Sequence, residues 1–521
     1  MNRSELLPLL NEPQSIWDVI VIGGGATGLG AALDAVTRGY KTLLLEQADF
    51  AKGTSSRSTK LIHGGVRYLK QGDVSLVLEA LHERGILRQN APHLVKNLAF
   101  VIPTYDWWGG PFYNIGMKVY DALAGSMGLG PSRSLSREEV MQAIPNVEVN
   151  GLRGGVLYYD GQFDDARLAV NLAQTVYQFG GTPLNYMKVT GLVKNEGLVE
   201  GVTAIDRESG DEYHLKARAV VNATGIFADA ILKMDNPNTV NTLQPSQGIH
   251  LVLDKKFLQS ESAIMVPKTD DGRVLFAVPW HEHVIVGTTD TLIPDASLEP
   301  SALEEEIDFV LRNAAKYLNI PPQRSDVLSI FAGLRPLVAS TQEDKNTKEI
   351  SRSHKVTVAE SGLITVLGGK WTTFRKMGED VVDTVAMVAN LPEKECITKN
   401  VLIHGYERKQ DETNPLHIYG SDAFKIKALS REHPELGEVL HPSLPYTKAE
   451  VVWSVRHEMA RTVEDILARR QRALFLNARA AMEMAPKVAE LMREELNKDA
   501  TWVKNQLTEF NQIAKKYLLE E

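Results

Sequence analysis

The sequence predicts an α/β protein: a Rossmann-type nucleotide-binding domain interleaved with an antiparallel-sheet substrate domain, followed by a C-terminal helical domain. Three observations carry this. Residues 17–28 read as strand, glycine turn and helix start. The middle of the chain breaks into short apolar runs divided by turn residues. From about Lys448 onward, apolar residues recur at helical spacing.

The opening element is the run WDVIVI (17–22), a buried strand that enters Gly23-Gly24-Gly25-Ala26-Thr27-Gly28 directly. An Ala-rich helical stretch follows and closes at Arg38-Gly39, where a cation and a glycine suit a helix C-terminus. KTLLL (41–45) is the second strand, ended by Glu46. In this βαβ unit Gly23 permits the tight turn, Gly25 lets backbone approach a pyrophosphate, and Gly28 lets the helix sit close to the strand. Ala26 and Thr27 begin the helix, whose free N–H groups and positive dipole end face the phosphates. A carboxylate at Glu46 suits a ribose hydroxyl pair and disfavours a 2′-phosphate. The fingerprint alone does not separate NAD from FAD, but its place near the start of the chain and the later run AVVNATG (219–225) favour FAD.

Residues 249–253, 263–266, 274–278 and 284–286 are the apolar runs of the middle, expected to form a mostly antiparallel roof over a substrate. Returns to βα character at 219–227 and 363–375 make the nucleotide domain discontinuous. Its expected pieces are about 16–90, 150–235 and 355–390, with the substrate domain at about 91–149 and 236–354 and the helical domain at 395–521. Val451, Val455, Met459, Val463, Ile466 and Leu467 mark the helical spacing of that last domain, and a second such stretch runs from Ala485.

Composition narrows the function classes. The chain has 521 residues, too many for one compact domain, with 43% hydrophobic and 24% charged residues, an ordinary globular balance. A formal charge of −9 argues against a general nucleic-acid binder. Cys396 is the sole cysteine, which excludes an intramolecular disulfide, a CxxC redox pair and a Cys-rich zinc site. No His/Asp/Glu cluster suggests a metal. The start, MNRSELLPLLNEPQSIWDV, lacks the features of a signal peptide, and no stretch suits a membrane-spanning helix. An intracellular, cytoplasmic protein is expected.

The segments TSSRSTKLIHGGVRYL (54–69), SQGIH (246–250), VGTTD (286–290), FAGLRPL (331–337) and GGKWTTFRK (368–376) occur in this order behind the glycine fingerprint. Together they closely resemble the FAD-dependent glycerol-3-phosphate dehydrogenases, of the D-amino-acid-oxidase-like flavoprotein superfamily. The likeness covers nearly the whole chain and is less clear at 105–135 and in the C-terminal helices. Leu29 stands where the family usually has a smaller residue, and Phe374 where it has Tyr; neither change removes a charge or a backbone donor.

The resemblance implies an FAD enzyme that oxidises sn-glycerol 3-phosphate to dihydroxyacetone phosphate. It places Thr54, Ser55 and the stretch Ser58–Ile62, with Ser58, Lys60, Leu61 and Ile62 singled out, along the cofactor, Lys188-Val189 around the adenine, and Ala223-Thr224-Gly225 by the ADP moiety. Gly369, Lys370 and Thr372 would lie against the isoalloxazine, with Lys370 stabilising reduced flavin. Substrate contacts carry over to Arg67, Tyr68, His250, Arg335 and Lys370.

These types suit the chemistry. Arginine forks bind phosphate oxygens in pairs, although a buried Arg67 or Arg335 also fits an internal ion pair with an acid. A histidine near neutral pH can accept the alcohol proton. His250 and His63 are the candidates, with His63 alternatively supporting the flavin. Relatives divide between membrane-associated enzymes that reduce quinone and soluble oxidases that use oxygen. The long insertion associated with the oxidases is absent here, which favours quinone. The aromatic segment 105–120 suits either a peripheral contact with the inner face of the cytoplasmic membrane or core packing; Lys118 is its single cation. A homodimer is among the states the sequence allows. Competing readings are an oxidase of glycerol 3-phosphate, a flavoenzyme acting on a 2-hydroxy acid or amino acid, and a noncatalytic flavin-binding partner protein.

Overall fold

The strand Ile16–Ile22 is the axis of a largely parallel sheet, with strands in the order 355–358, 364–367, 212–222, 16–22, 42–45 and 182–184. Its register pairs Val21 with Leu44 on one side and Val221 on the other. Helices Ala26–Thr37 and Asp165–Gln178 pack in the same core as Phe374–Val388, so Ile20, Val21, Leu43 and Leu44 are wholly buried and the strands read as continuous apolar runs. Each such side chain contributes roughly 1.5–3 kcal/mol relative to exposure. This computed structural model describes residues 1–11, 16–65, 74–107, 109–266, 268–338, 354–409, 411 and 413–519.

The second sheet is mixed and mostly antiparallel, as the short apolar runs predict. Its centre joins Leu243–Asp254 to His283–Gly287 and to Val327–Val338. Two pieces expected in the nucleotide domain belong here instead. Gly154–Phe163 pairs along its whole length with Val95–Thr104, and Leu61–Ile62 pairs with Gln162 and Gly161. The crossing back to the first sheet therefore comes after Phe163, where Asp164 caps the helix Asp165–Gln178. The reason is visible in the sequence of the strand: Gly154, Gly155 and Gly161 permit close backbone approach, and a Cβ at Gly161 would lie 2.8 Å from the Ile62 carbonyl oxygen.

The C-terminal region is helical with interruptions. Lys448–His457, Ala478–Glu495 and Ala500–Lys515 are α-helices, and a hairpin pairs Val439–His441 with Leu444–Thr447. The helix expected to continue through Met459, Val463 and Leu467 is broken at Met459, which sits at φ 54°, and resumes as a π-helical turn, Asp465–Arg470. That turn swings Arg469 and Arg470 inward to buried Asp49. Ionic partners override the apolar periodicity. Ile418, Tyr419, Ile426 and Trp453 share one apolar core with the first sheet, so this region is not a detached cap.

Candidate active site

Both sheets open onto one cavity of about 1680 Å³. At its nucleotide end the chain leaves Ile22 and turns at Gly23, φ 111°, where a Cβ would meet the Ala223 carbonyl oxygen at 2.6 Å. Gly28 lies behind the turn: a Cβ there would lie 1.9 Å from the Gly23 carbonyl oxygen, so only glycine lets this helix start so close to the strand. Gly25, Ala26 and Thr27 face the cavity at the helix N-terminus, and Ala26 N–H donates to Ser55 Oγ at 3.0 Å.

Glu46 lines the same end. Its carboxylate accepts from Gly24 N–H at 2.7 Å and Ala48 N–H at 2.9 Å. Burial raises its pKa against those two bonds, which oppose the shift. Val189, Ala223 and Gly225 complete this end of the cavity, Ala223 held by its N–H bond to Ile22.

The loop 51–62 forms the cavity floor. Thr54 Oγ1 donates to the Leu334 carbonyl at 2.6 Å, and Ser55 carbonyl accepts from Trp371 Nε1 at 2.7 Å. Thr54, Ser55, Ser58 and Leu61 line the cavity. Lys60 and Ile62 do not. Lys60 Nζ is wholly buried behind the loop, 2.8 Å from both Asp165 Oδ2 and the Ser56 carbonyl, and Ile62 joins the apolar core. The side chains of these two residues therefore point away from the cavity: an ammonium next to a buried carboxylate is held there by charge, and a β-branched residue on a strand by burial. Burial lowers the Lys60 pKa to about 7, with Asp165 opposing.

At the substrate end, Gly369, Lys370 and Thr372 line the cavity just before the helix Phe374–Val388, and His63 lies across from them, its carbonyl accepting from Thr372 Oγ1 at 3.5 Å. Phe374 is buried edge-on to Trp371 in the apolar core. Arg335 opposes Ser246 in the sheet and reaches Thr288 Oγ1 and the Thr289 carbonyl, each at 3.1 Å, with Asp290 Oδ1 at 3.5 Å. Gly248 leaves the space for it: a Cβ there would lie 2.3 Å from Arg335 Nη2.

His250 stacks on Phe331 at 4.8 Å and shares a hydrogen bond of 2.8 Å with Thr59 Oγ1 through Nε2. Burial, then the nearby Lys60 and Arg335, holds its pKa well below 6.5, so the ring is neutral at physiological pH. Arg67 and Tyr68 lie outside the described residues. Among the described residues no group of His, Cys, Asp and Glu could hold a metal ion.

Sequence reasoning gave Thr59 no role beyond its place in the Ser58–Ile62 stretch, and it missed Asp290 and Asp165. Asp290 follows Thr288-Thr289 in a motif quoted for its order alone, and its acid is what pairs with Arg335. Asp165 carried no motif. The signal for it was the arginine-rich run Arg469, Arg470, Arg472 inside an apolar stretch, since buried guanidinium groups require acids elsewhere in the chain.

Two families match this chain. One, described as FAD dependent oxidoreductase, covers residues 18–375; the other, the C-terminal domain of alpha-glycerophosphate oxidase, covers 396–502. Mitochondrial glycerol-3-phosphate dehydrogenases from Bos taurus and Homo sapiens are 40% and 39% identical, over 100% of this chain and 75% of theirs. The chain belongs to the FAD-dependent glycerol-3-phosphate dehydrogenase family. Among solved structures, the glycerol-3-phosphate dehydrogenase of Bacillus halodurans complexed with FAD superposes with a TM-score of 0.81 at 29% identity, covering 100% of this chain and 99% of that one. The L-alpha-glycerophosphate oxidase of Mycoplasma pneumoniae with FAD bound, at 17% identity and TM-score 0.56 over 75% of this chain, shares the fold. As a member of this family the protein is an FAD-dependent oxidoreductase. The glycine turn, helix N-terminus and Glu46 suit that cofactor's pyrophosphate and ribose.

Proposed function

We propose that this protein oxidises the C2 alcohol of sn-glycerol 3-phosphate to dihydroxyacetone phosphate. The observation that carries the reading is that Arg335, Lys370 and His250, the last behind Thr59, border the same cavity as the dinucleotide cradle. FAD, when bound, would supply the two-electron acceptor for the hydride of C2. The chain's own residues do the rest. Arg335 presents a planar fork to the phosphate dianion, exchanging its loose contact with Asp290 for a stronger one. Lys370 adds positive charge where the reduced cofactor gains an electron pair. His250, kept neutral by its surroundings, receives the proton of the C2 hydroxyl. Arg67 and Tyr68 belong to the same substrate set by family resemblance.

The electrons pass on to a membrane quinone in this reading. The helix Gly109–Ala124 carries Phe112, Ile115 and Val119, exposed by 55%, 67% and 44%, next to Trp107 at 75%. Val74 and Leu78 on the neighbouring helix Val74–Asn90 extend the exposed apolar surface. Phe112, Ile115 and Val119 also line the cavity, so an apolar acceptor reaching this face meets the site. Interfacial aromatics on an amphipathic helix suit a peripheral bilayer contact, at the inner face of a cytoplasmic membrane. No described helix is long and apolar enough to cross one.

The test is turnover of the purified holoprotein with sn-glycerol 3-phosphate, a 2-hydroxy acid and an amino acid, using a soluble quinone or oxygen as acceptor. Activity restricted to glycerol 3-phosphate with quinone supports both parts. A preference for the 2-hydroxy acid or amino acid overturns the substrate reading, and a preference for oxygen overturns the acceptor.

A further inference from the structure

His250 is difficult to reach. The residue is 2% exposed, its Nδ1 is buried without a hydrogen-bond partner among the described residues, and its Nε2 is covered by the Thr59 hydroxyl at 2.8 Å. Phe331 closes one face of the ring, and Gly287 lies so near Cδ2 that a Cβ there would approach to 2.4 Å. Thr59, in contrast, is half-buried and lines the cavity. The hydroxyl is the open end of the pair.

We infer that Thr59 is a proton relay between the substrate alcohol and His250. This rests on the proposed role of His250 as proton acceptor. The C2 hydroxyl gives its proton to Thr59 Oγ1 as the proton already on Oγ1 passes to His250 Nε2. The electron pair of the broken O–H bond becomes the second C–O bond of the ketone, and the C2–H pair leaves as hydride to the oxidised flavin. When product departs, the imidazolium returns its proton to solvent through the same hydroxyl.

The loop is built to hold Thr59 in place. On its N-terminal side, Ser58 N–H and Oγ donate to Asp165 Oδ2 at 3.1 and 2.7 Å. On its C-terminal side, Lys60 Nζ reaches the same oxygen at 2.8 Å. Arg472 anchors Asp165 from the C-terminal helices at 3.1 Å and also donates to the Ser56 carbonyl at 2.9 Å. The charged groups facing the His250 ring are Lys60 and Arg335. Both oppose a cation there, and the substrate phosphate supplies the compensating negative charge.

The test compares Thr59→Val, Thr59→Ser, His250→Ala and the Thr59→Val/His250→Ala double variant, each as holoprotein. Anaerobic flavin reduction by sn-glycerol 3-phosphate is expected to fall roughly 10²–10⁴-fold in Thr59→Val, the usual contribution of general base catalysis, and to recover within about tenfold in Thr59→Ser. Flavin content and the affinity for inorganic phosphate should not change. The double variant should be no slower than the slower single one, as for residues acting as a unit. A full rate in His250→Ala overturns the base reading itself. A slow His250→Ala with a full-rate Thr59→Val overturns the relay and leaves the base. Nitrogen-15 spectra of histidine-labelled wild-type protein decide the question without a loop variant: a proton on Nδ1 with Nε2 as acceptor supports the relay, and a proton on Nε2 overturns it.

Discussion

Arg335 is the cation most open to test. It already touches Asp290 and Thr288, so removing it takes a positive charge away from buried Asp290, which also accepts from Ser246. We predict that Arg335→Ala lowers kcat/KM for glycerol 3-phosphate by about 2–5 kcal/mol, the range for losing one side of a desolvated charge pair, with flavin content intact. Arg335→Lys should recover only part of that, because a point charge does not reproduce a fork. Flavin loss with unchanged substrate affinity would make Arg335 structural. The pH profile gives a second expectation. His250 is held well below its ordinary pKa, so it binds no proton between that lowered value and 6.5 in the folded protein. The acid limb of kcat/KM should therefore lie below pH 6.5; a limb centred at 6.5 or above contradicts the assignment.

At the scale of elements, the glycine turn separates two kinds of constraint. Gly28→Ala puts a methyl 1.9 Å from backbone oxygen and should prevent folding around the first strand. Gly25→Ala meets only the Ser55 hydroxyl at 3.0 Å, which can turn away, so the chain should fold but hold FAD weakly. Yields of soluble protein and flavin-to-protein ratios of the two variants check this. Glu450, in the capping box of Lys448–His457, is raised to about 7 by burial, against the bonds from Thr447 that lower it. The folded chain therefore binds the extra proton between the ordinary carboxylate range and pH 7, and stability falls as pH rises through that window. Glu450→Gln keeps an acceptor for Thr447 and should be more stable than wild type at pH 8 by about 1–3 kcal/mol, with little difference at pH 5, as read by urea titration. The helix Gly109–Ala124 carries the membrane prediction. Lys118, the one cation of segment 105–120, already donates to the Ser132 carbonyl at 2.6 Å. Liposome flotation should be insensitive to salt and lost in Phe112→Ser/Ile115→Ser; release of wild type by salt, or equal flotation of both, refutes it.

The same elements show what a sequence can and cannot disclose. The strand–turn–helix at 16–37 was legible because its period, glycines and terminal acid are all local. The strand Gly154–Phe163 was not, because which sheet it joins depends on a partner some sixty residues away in Val95–Thr104. Cavity-facing Thr54, Ser55 and Gly369 follow from motifs read in order. Lys60 shares a motif with them yet points the other way, and only the position of Asp165 decides that.

At the scale of the molecule, an ion-pair network ties the C-terminal helices to the nucleotide domain. Asp49 receives Arg469 at 2.6 Å and Arg470 at 2.7 Å, Asp165 receives Arg472, and Glu458 binds Arg167 at 2.5 Å, all with buried side chains. Asp49→Ala removes the acid shared by two buried guanidinium groups, leaving Arg469 to Glu464 and Asp465 and Arg470 to Glu458, and should cost about 3–5 kcal/mol in denaturant unfolding. Arg472 also donates to the Ser56 carbonyl in loop 51–62, so the helical region is tied directly to the cavity floor. The chemistry proposed for the whole is tested most directly by mixing the holoprotein with sn-glycerol 3-phosphate in the absence of oxygen. The visible flavin absorbance should bleach as dihydroxyacetone phosphate appears in equal amount to reduced flavin. Absorbance that stays unchanged with this substrate, in protein whose flavin dithionite fully reduces, would contradict it.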